Sequence, residues 1–347
     1  MLKGLFSKPY SRIFIVGDNS GWVIDVEAQD LKSSAHKLGV KADIVRRMYL
    51  NLPQAVHYTS QFSLKLPDIY KNKNRLSVDY YHGKPDQDES FKQCFEALQK
   101  HHEQFGAVRV STREMEGLIK SSGIDPKKVV RIPIGIDLNI FKPQTIEAKK
   151  ISRLNLDIPP DAVVVGSFLK DGVGMGEGLE PKYIKGPDVF LAVIERLKNE
   201  IPNLWVLLSA PARGYVKKGL DKMNVPYRHQ YFKDYKDIAP LYDALDMCLV
   251  TSREEGGPKA CLESMAKGVP LVTTKVGQCA DLVRVGENAM MAPIEAVDEL
   301  SRLSLEVLRD QNLAQKLLRN GFQTAQENSL ENQLPLWKQY FDKLIDS

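Results

Sequence analysis

The chain has 347 residues, more than one hydrophobic core usually spans, so two domains are expected. With 43% hydrophobic and 27% charged residues, its composition is that of an ordinary soluble globular protein. No stretch approaches the roughly 18 consecutive apolar residues of a membrane-spanning helix, and the first apolar run is too short for a signal peptide. The four cysteines match no zinc-binding spacing, which predicts free thiols in a reducing cytoplasm.

Basic residues are concentrated in the first part of the chain. Residues 1–145 carry 22 Lys and Arg against 16 Asp and Glu, whereas the remainder carries 26 against 28. Two interpretations stay open: the lysines are scattered on solvated helices, or they attract an anionic acceptor or the anionic inner face of a membrane. We expect a cytoplasmic protein, with peripheral membrane binding under the second interpretation, and no nucleic-acid partner.

Residues 1–145 alternate short apolar runs with amphipathic stretches, the pattern of a parallel α/β domain. The clearest helix covers 88–102, because apolar residues recur at helical spacing from Phe91 to Leu98. The other predicted helices are 23–38 and 112–121. The predicted strands are 12–16, 42–45, 55–59, 76–81, 108–111 and 129–134.

Residues 143–160 contain three prolines among charged residues, which predicts a linker. A second alternating set follows, with strands 162–168, 205–209, 247–251 and 269–273 and helices 187–199, 236–245 and 258–267. We therefore predict two domains, 1–145 and 160–330. An apolar stripe from Trp337 to Leu344 predicts a terminal helix, 335–347, that docks either on its own domain or back on the N-terminal one.

The most informative stretch is 251–274, TSREEGGPKACLESMAKGVPLVTT, which predicts a strand, a loop, a helix and a second strand. Gly256 and Gly257 allow a tight turn and the close approach of a ligand, and the proline after them suits the first helical position. The amides of a helix N-terminus at a strand end favour an anion such as a diphosphate. Glu255 before this helix and Glu263 in its second turn would instead accept hydrogen bonds from sugar hydroxyls.

Within this stretch, EEGGPKACLESMAKGVPLV resembles the motif of glycosyltransferase family 4, which comprises retaining enzymes of the GT-B fold. The family is marked by two glutamates separated by seven residues, and Glu255 and Glu263 match them. The resemblance implies that Glu263 holds the nucleotide ribose and that Glu255 contacts hydroxyls of the transferred sugar. It also implies the fold class, namely two Rossmann-like domains whose parallel sheets face an interdomain cleft.

A second group of matches lies ahead of this motif. Lys185 and the glycine after it match the Lys-Gly that opens a helix and holds the donor diphosphate in the family. The family's arginine directly after the strand glycine is replaced here by Ser167, and Lys170 is the nearest basic residue. The glycine-rich loop 171–181 is interpreted either as a flexible lid or as a disordered insertion.

The N-terminal part resembles the family as well. Residues 134–137, Ile-Gly-Ile-Asp, stand where Asn-Gly-Val-Asp is usual at the exit to the hinge. Gly17 lies in the first strand–helix turn, where family members approach the donor. His82 matches a histidine of the cleft, and a purely structural role is the alternative.

By this resemblance the protein is a retaining hexosyltransferase that uses a UDP- or GDP-linked donor and a glycan or lipid-linked acceptor, as in polysaccharide biosynthesis. Catalytic roles are implied for Glu255, His82 and Lys185. The residues implied to bind the nucleotide sugar are Gly17, Lys170, Lys185, Gly256, Gly257, Pro258, Lys259 and Glu263. No metal site and no separate cofactor are expected, because the only Asp-x-Asp triplet, 86–88, lies in a charged loop. A nucleotide-sugar epimerase and a non-catalytic nucleotide-sugar-binding partner protein remain as alternatives.

Overall fold

The computed structural model describes residues 10, 12–17, 23–46 and 53–346. The strands are β1 (Arg12–Val16), β2 (Lys41–Val45), β3 (Ala55–Tyr58), β4 (Arg75–Tyr80), β5 (Phe105–Val110), β6 (Val129–Arg131), β7 (Val163–Ser167), β8 (Leu204–Leu208), β9 (Tyr227–His229), β10 (Met247–Val250), β11 (Leu271–Thr274) and β12 (Met290–Ala292). The helices are α1 (Val23–Lys37), α2 (Glu89–Lys100), α3 (Arg113–Lys120), α4 (Ile146–Asn155), α5 (Pro187–Glu200), α6 (Gly214–Lys222), α7 (Ala239–Tyr242), α8 (Lys259–Lys267), α9 (Cys279–Leu282), α10 (Val297–Arg309), α11 (Gln311–Glu327) and α12 (Leu334–Asp346). They divide between an N-terminal unit, which ends at Ile134 and resumes at Leu330, and a C-terminal unit, Gly135–Ser329.

The N-terminal unit contains one parallel six-stranded sheet in the order β2-β1-β3-β4-β5-β6. Strand β5 is buried along its whole length, as expected for a parallel strand covered on both faces. Helix α12 packs against β4, β5, β6 and α1. Its side chains Trp337, Tyr340, Phe341 and Leu344 share a core with Ile13 and Ile15 of β1. The end of the chain therefore lies in the N-terminal unit.

A buried ionic cluster lies in the same unit. Arg109 is 1% exposed and donates hydrogen bonds to Glu27 at 3.2 Å and to Asp79 at 3.5 Å. Burial alone would raise the pKa of Asp79, but His57 and Arg109 outweigh it and hold that pKa below its ordinary value. The Tyr340 hydroxyl lies 2.9 Å from Nδ1 of His57, so α12 is tied to the cluster as well as to the apolar core.

The C-terminal unit contains a second parallel six-stranded sheet in the order β12-β11-β10-β7-β8-β9. Apolar residues of α5 and α10 pack with this sheet in one core, and apolar residues of α7 and α8 pack in another. The predicted helix 236–245 is instead a 3₁₀ turn, Tyr235–Ile238, followed by the four-residue α7. No helix of the described part of the chain is long and apolar enough to cross a membrane.

The segment 143–160, predicted to be a linker, contains a regular helix. Thr145 caps α4 by accepting a hydrogen bond from the amide of Ala148 at 3.0 Å. Arg153 is buried and binds Asp246 at 2.7 Å, which fixes α4 to the C-terminal unit. The linker prediction is wrong because α4 buries a polar face and leaves Ile146 and Leu154, 79% and 77% exposed, toward solvent. Its apolar pattern therefore did not indicate a packed helix.

Candidate functional site

Three loops that follow the adjacent strands β7, β10 and β11 meet at one edge of the C-terminal sheet. Gly186 in the first loop has a φ of 65°, and a Cβ there would lie 1.9 Å from the carbonyl oxygen of Thr251 in the second. Gly277 in the third has a φ of 50°, and a Cβ there would lie 2.5 Å from the carbonyl oxygen of Glu255. Only glycine permits these approaches. The sequence reasoning did not single out Gly277, although it lies four residues after the predicted strand 269–273.

This interlocking brings two of the predicted catalytic side chains together. Nζ of Lys185 lies 2.6 Å from Oε2 of Glu255, and the two side chains are only 21% and 11% exposed. The other oxygen, Oε1, accepts a hydrogen bond of 2.9 Å from the Ser252 hydroxyl. Both oxygens of Glu255 are therefore engaged, and Lys185 is held by a carboxylate.

Lys185 belongs to a group of three lysines. Burial lowers the pKa of Lys182, and the charges of Lys185 and Lys170 lower it further, while Glu255 opposes them. Backbone hydrogen bonds place Lys182 one 3₁₀ turn before Lys185, since the amide of Lys185 donates to the carbonyl of Lys182 at 2.8 Å. The sequence reasoning missed Lys182, although its spacing of three from Lys185 was a usable signal.

Ser167 stands directly after the strand glycine, where the resembled family has arginine, and it binds an arginine from elsewhere in the chain. Ser167 offers its carbonyl and hydroxyl oxygens to Arg213, at 2.7 and 3.1 Å. Arg213 is 1% exposed and also pairs with Asp171 at 3.0 Å, so it stabilises the interior and does not face a ligand. Lys170, three residues after Ser167, is half-buried, and its ammonium lies 3.2 Å from the Met175 sulfur.

The glycine-rich loop 171–181 is packed rather than disordered. Its ends form an antiparallel bridge between Gly172 and Pro181. The carbonyl oxygens of Glu177 and Gly178 accept hydrogen bonds from the first two amides of α6, at 2.7 and 2.8 Å. These bonds satisfy amides that would otherwise lack partners at the helix start. Of the two interpretations of this loop, the disordered insertion is therefore wrong.

Glu263 is 2% exposed on α8, and its carboxylate accepts hydrogen bonds from the hydroxyls of Tyr235 and Tyr242. Burial raises the pKa of Glu263, while the two hydroxyls and the nearby charge of Lys259 act in the opposite direction. Lys259 is itself 9% exposed, and its ammonium lies 5.2 Å from the centre of the Tyr235 ring. Glu263 and Lys259 are therefore brought together, with Tyr235 beside both.

Helix α8 begins at Lys259, so its positive dipole end adjoins Gly256, Gly257 and Pro258. Pro258 is the N-cap residue, with an extended ψ of 117°. The helix therefore begins one residue later than predicted, because Pro258 was expected to be its first residue. Its carbonyl accepts a hydrogen bond from the amide of Cys261 at 2.9 Å.

The remaining predicted site residues, His82 and Gly17, lie in the N-terminal unit. The His82 ring makes edge contacts with Phe91 and Phe62, with centroid distances of 5.3 and 6.4 Å. The Gln61 side chain holds the neighbouring backbone, since its amide nitrogen donates to the carbonyl of His82. Gly17 follows β1, and the rest of its turn, 18–22, lies outside the described residues.

Residues 179–324 match the family model described as Glycosyl transferases group 1. Lipopolysaccharide core biosynthesis glycosyltransferase LpsE of Rhizobium meliloti is 28% identical over 174 residues, which are 50% of this chain and 48% of that protein. D-inositol 3-phosphate glycosyltransferase of Streptomyces bingchenggensis is 25% identical over 212 residues, 56% of this chain and 44% of that protein. The matched region thus spans about half the length of these curated relatives, and the family match includes Lys185, Glu255 and Glu263.

Solved structures match nearly the whole chain. Sucrose-phosphate synthase from Thermosynechococcus elongatus has a TM-score of 0.75 at 17% identity, covering 97% of this chain and 99% of that one. Anabaena Alr3699/HepE in complex with UDP-glucose has a TM-score of 0.75 at 15% identity, covering 97% and 100%. The fold is GT-B. This agrees with the fold class that the sequence predicted, and both GT-B units have the expected parallel sheet.

Proposed function

We propose that the protein is a metal-independent, retaining glycosyltransferase that transfers a hexosyl group from a nucleoside-diphosphate sugar to a glycan or lipid-linked acceptor. The observation that carries the proposal is the pair of Lys185 and Glu255, 2.6 Å apart, next to the amino-terminal end of α8. The family match over 179–324 supports glycosyl transfer as the reaction class. The GT-B neighbour HepE in complex with UDP-glucose supports a nucleotide sugar as the donor.

The charges around Lys185 suit the departure of a nucleoside diphosphate. Lys170, Lys182 and Lys185 supply positive charge, and the dipole of α8 adds to it, so charge that develops on the leaving oxygen is stabilised without a metal. Glu255 would accept hydrogen bonds from the transferred sugar, and Glu263 from the ribose. In the reaction we propose, the acceptor oxygen bonds to the anomeric carbon on the face that the diphosphate leaves. The leaving phosphate oxygen takes the acceptor proton, and the anomeric configuration is retained.

The acceptor class is supported by the names of related proteins. Curated relatives of this chain are named for lipopolysaccharide core biosynthesis, including the mannosyltransferase LpsB of Rhizobium meliloti, which is 28% identical over 219 residues. Other relatives are named as D-inositol 3-phosphate glycosyltransferases. A glycan or lipid-linked acceptor is therefore proposed, and the protein would meet it in the cytoplasm or at the inner face of a membrane.

A donor screen tests the proposal. The protein is incubated in EDTA with UDP- and GDP-hexoses, and release of the nucleoside diphosphate is followed by chromatography, with and without glycan acceptors. We expect the wild type to release the nucleoside diphosphate in EDTA, and we expect Lys185→Met to abolish this release. The control Lys316→Met should retain activity, because Lys316 pairs with Glu287 on the surface.

Each other result of this screen has a definite meaning. Turnover that EDTA abolishes and Mg²⁺ restores would refute metal independence. Conversion of the donor sugar to an epimer without an acceptor would identify an epimerase. Tight donor binding without release or transfer under any condition would identify a non-catalytic binding partner.

A further inference from the structure

The two tyrosines that bind Glu263 differ in how deeply they are buried. Tyr242 is fully buried in α7, and its ring packs edge-on against Phe168 with a centroid distance of 4.7 Å. Tyr235 is only partly buried and lies on a single 3₁₀ turn, next to exposed residues on both sides. The Tyr242 hydroxyl is therefore enclosed in the interior, whereas Tyr235 packs against the edge of the same core and has exposed neighbours in the chain.

The Tyr235 ring packs against the apolar core and also contacts a charged side chain. Phe141 lies 5.8 Å away at a tilt of 48°, and the Lys259 ammonium stands over the ring at 5.2 Å. Lys259 is among the residues that the family resemblance implies to bind the nucleotide sugar. Tyr235 therefore borders both the carboxylate and a cation of the proposed donor site.

A buried carboxylate needs hydrogen-bond donors, and a ribose supplies the same kind of donor as a phenol. In the structure the Tyr235 hydroxyl donates a hydrogen bond to Oε1 of Glu263, and the Tyr242 hydroxyl donates one to Oε2. We propose that binding of the nucleotide sugar replaces the Tyr235 hydroxyl at Glu263 by a ribose hydroxyl, while the hydrogen bond from Tyr242 is kept. The inference rests on the proposed function, because it places the ribose at Glu263.

The exchange has a consequence for affinity. A ribonucleotide gains a hydrogen bond to Glu263 but breaks the one from Tyr235, so its net gain is small. A nucleotide without ribose hydroxyls leaves Tyr235 in place. Tyr235 therefore lowers the preference of the protein for ribonucleotides, because its hydroxyl already satisfies the carboxylate.

Calorimetry on Tyr235→Phe tests the exchange. UDP or GDP, whichever the wild type binds more tightly, is compared with its 2′,3′-dideoxy analogue at one fixed pH. The ribonucleotide should bind Tyr235→Phe about five- to tenfold more tightly than the wild type, since it no longer displaces a phenol. The dideoxy analogue should bind both proteins equally. Tyr231→Phe, at an exposed tyrosine of the same loop, should change neither affinity.

The alternatives are distinguishable. Weaker ribonucleotide binding by Tyr235→Phe would mean that the hydroxyl assists the ligand, and equal tightening for both nucleotides would mean that the ring moves for another reason; either overturns the exchange. If the wild type prefers the ribonucleotide and Tyr235→Phe changes neither affinity, the exchange is refuted, but the ribose assignment of Glu263 is not. If the wild type and Tyr235→Phe both bind the two nucleotides equally, the ribose assignment of Glu263 is refuted as well.

A spectroscopic measurement covers the case in which the variant folds poorly. With 3-fluorotyrosine at position 235, the fluorine resonance should shift on adding the ribonucleotide and stay in place on adding the dideoxy analogue at the same occupancy. The same shift with both nucleotides, or with neither, contradicts the exchange.

Discussion

Replacing Glu255 by glutamine should change nucleotide binding and catalysis in opposite directions. The carboxylate holds Lys185 at 2.6 Å, and both side chains are largely buried. A diphosphate that binds Lys185 must compete with this carboxylate. Glutamine keeps the shape and removes the charge, so Lys185 becomes fully available and the three-lysine group loses its nearby negative charge.

The magnitude follows from the burial of the pair. An exposed ion pair contributes up to about 1 kcal/mol, and a hydrogen bond to a charged group about 1.5–3 kcal/mol. A pair that is 21% and 11% exposed lies between these limits, at about 1–2 kcal/mol, which is roughly five- to thirtyfold in affinity. Free nucleoside diphosphate should therefore bind Glu255→Gln more tightly by about that factor. Turnover of the complete donor should fall by about 10²-fold or more, because the contact to the sugar is weakened in the transition state.

Calorimetry with the free nucleotide and initial rates with the donor measure the two effects. Ser252→Ala is the matched control, because it removes the other hydrogen bond to Glu255, of 2.9 Å, and leaves the charge in place. Its nucleotide affinity should stay within about twofold of the wild type. Lys185→Met should lose nucleotide affinity and turnover together. If Glu255→Gln instead loses nucleotide affinity in parallel with Lys185→Met, or keeps full turnover, the division into a sugar contact and a diphosphate contact is wrong.

Three further predictions follow from charge and burial. Lys182→Met should weaken nucleoside diphosphate binding by about three- to tenfold in calorimetry, since it removes a cation beside Lys185, and an unchanged affinity would exclude Lys182 from the site. Asp79→Asn should lower the free energy of unfolding at pH 7 by about 3–5 kcal/mol in urea titrations, because Arg109 loses a buried partner. The pKa of Asp79 is held low in the folded protein. Its contribution to the free energy of unfolding is therefore present above the unfolded pKa of about 3.9 and is lost as pH falls through the folded value. The difference in stability between wild type and Asp79→Asn should accordingly shrink only below about pH 4. If the basic N-terminal part meets an anionic membrane, vesicle binding should require anionic lipid and fall as salt rises, and equal binding to neutral vesicles would contradict that interpretation.

The local pattern of the sequence was sufficient wherever one element carries its own signal. The helix predicted at 88–102 appears as α2. The strand predicted at 247–251, the loop after it and the helix predicted at 258–267 appear as β10, its loop and α8. Apolar spacing and glycine placement determine such elements, because the residues that decide them are neighbours in the chain. The motif around Glu255 and Glu263, and its likeness to a GT-B family, could therefore be found in the sequence alone.

Contacts between distant residues decided the rest. The segment 143–160 resembles a linker in sequence, because α4 is held by the ion pair of Arg153 with Asp246, 93 residues away, and not by an apolar face. The absence of arginine after Gly166 was visible in the sequence, but only the fold showed that Arg213 binds Ser167 from the interior. The contact of Tyr235 with Glu263 was equally hidden, since hydrogen bonds across 28 residues leave no periodicity to read. A sequence pattern reports which face of an element is buried; which polar groups meet there depends on how the elements pack.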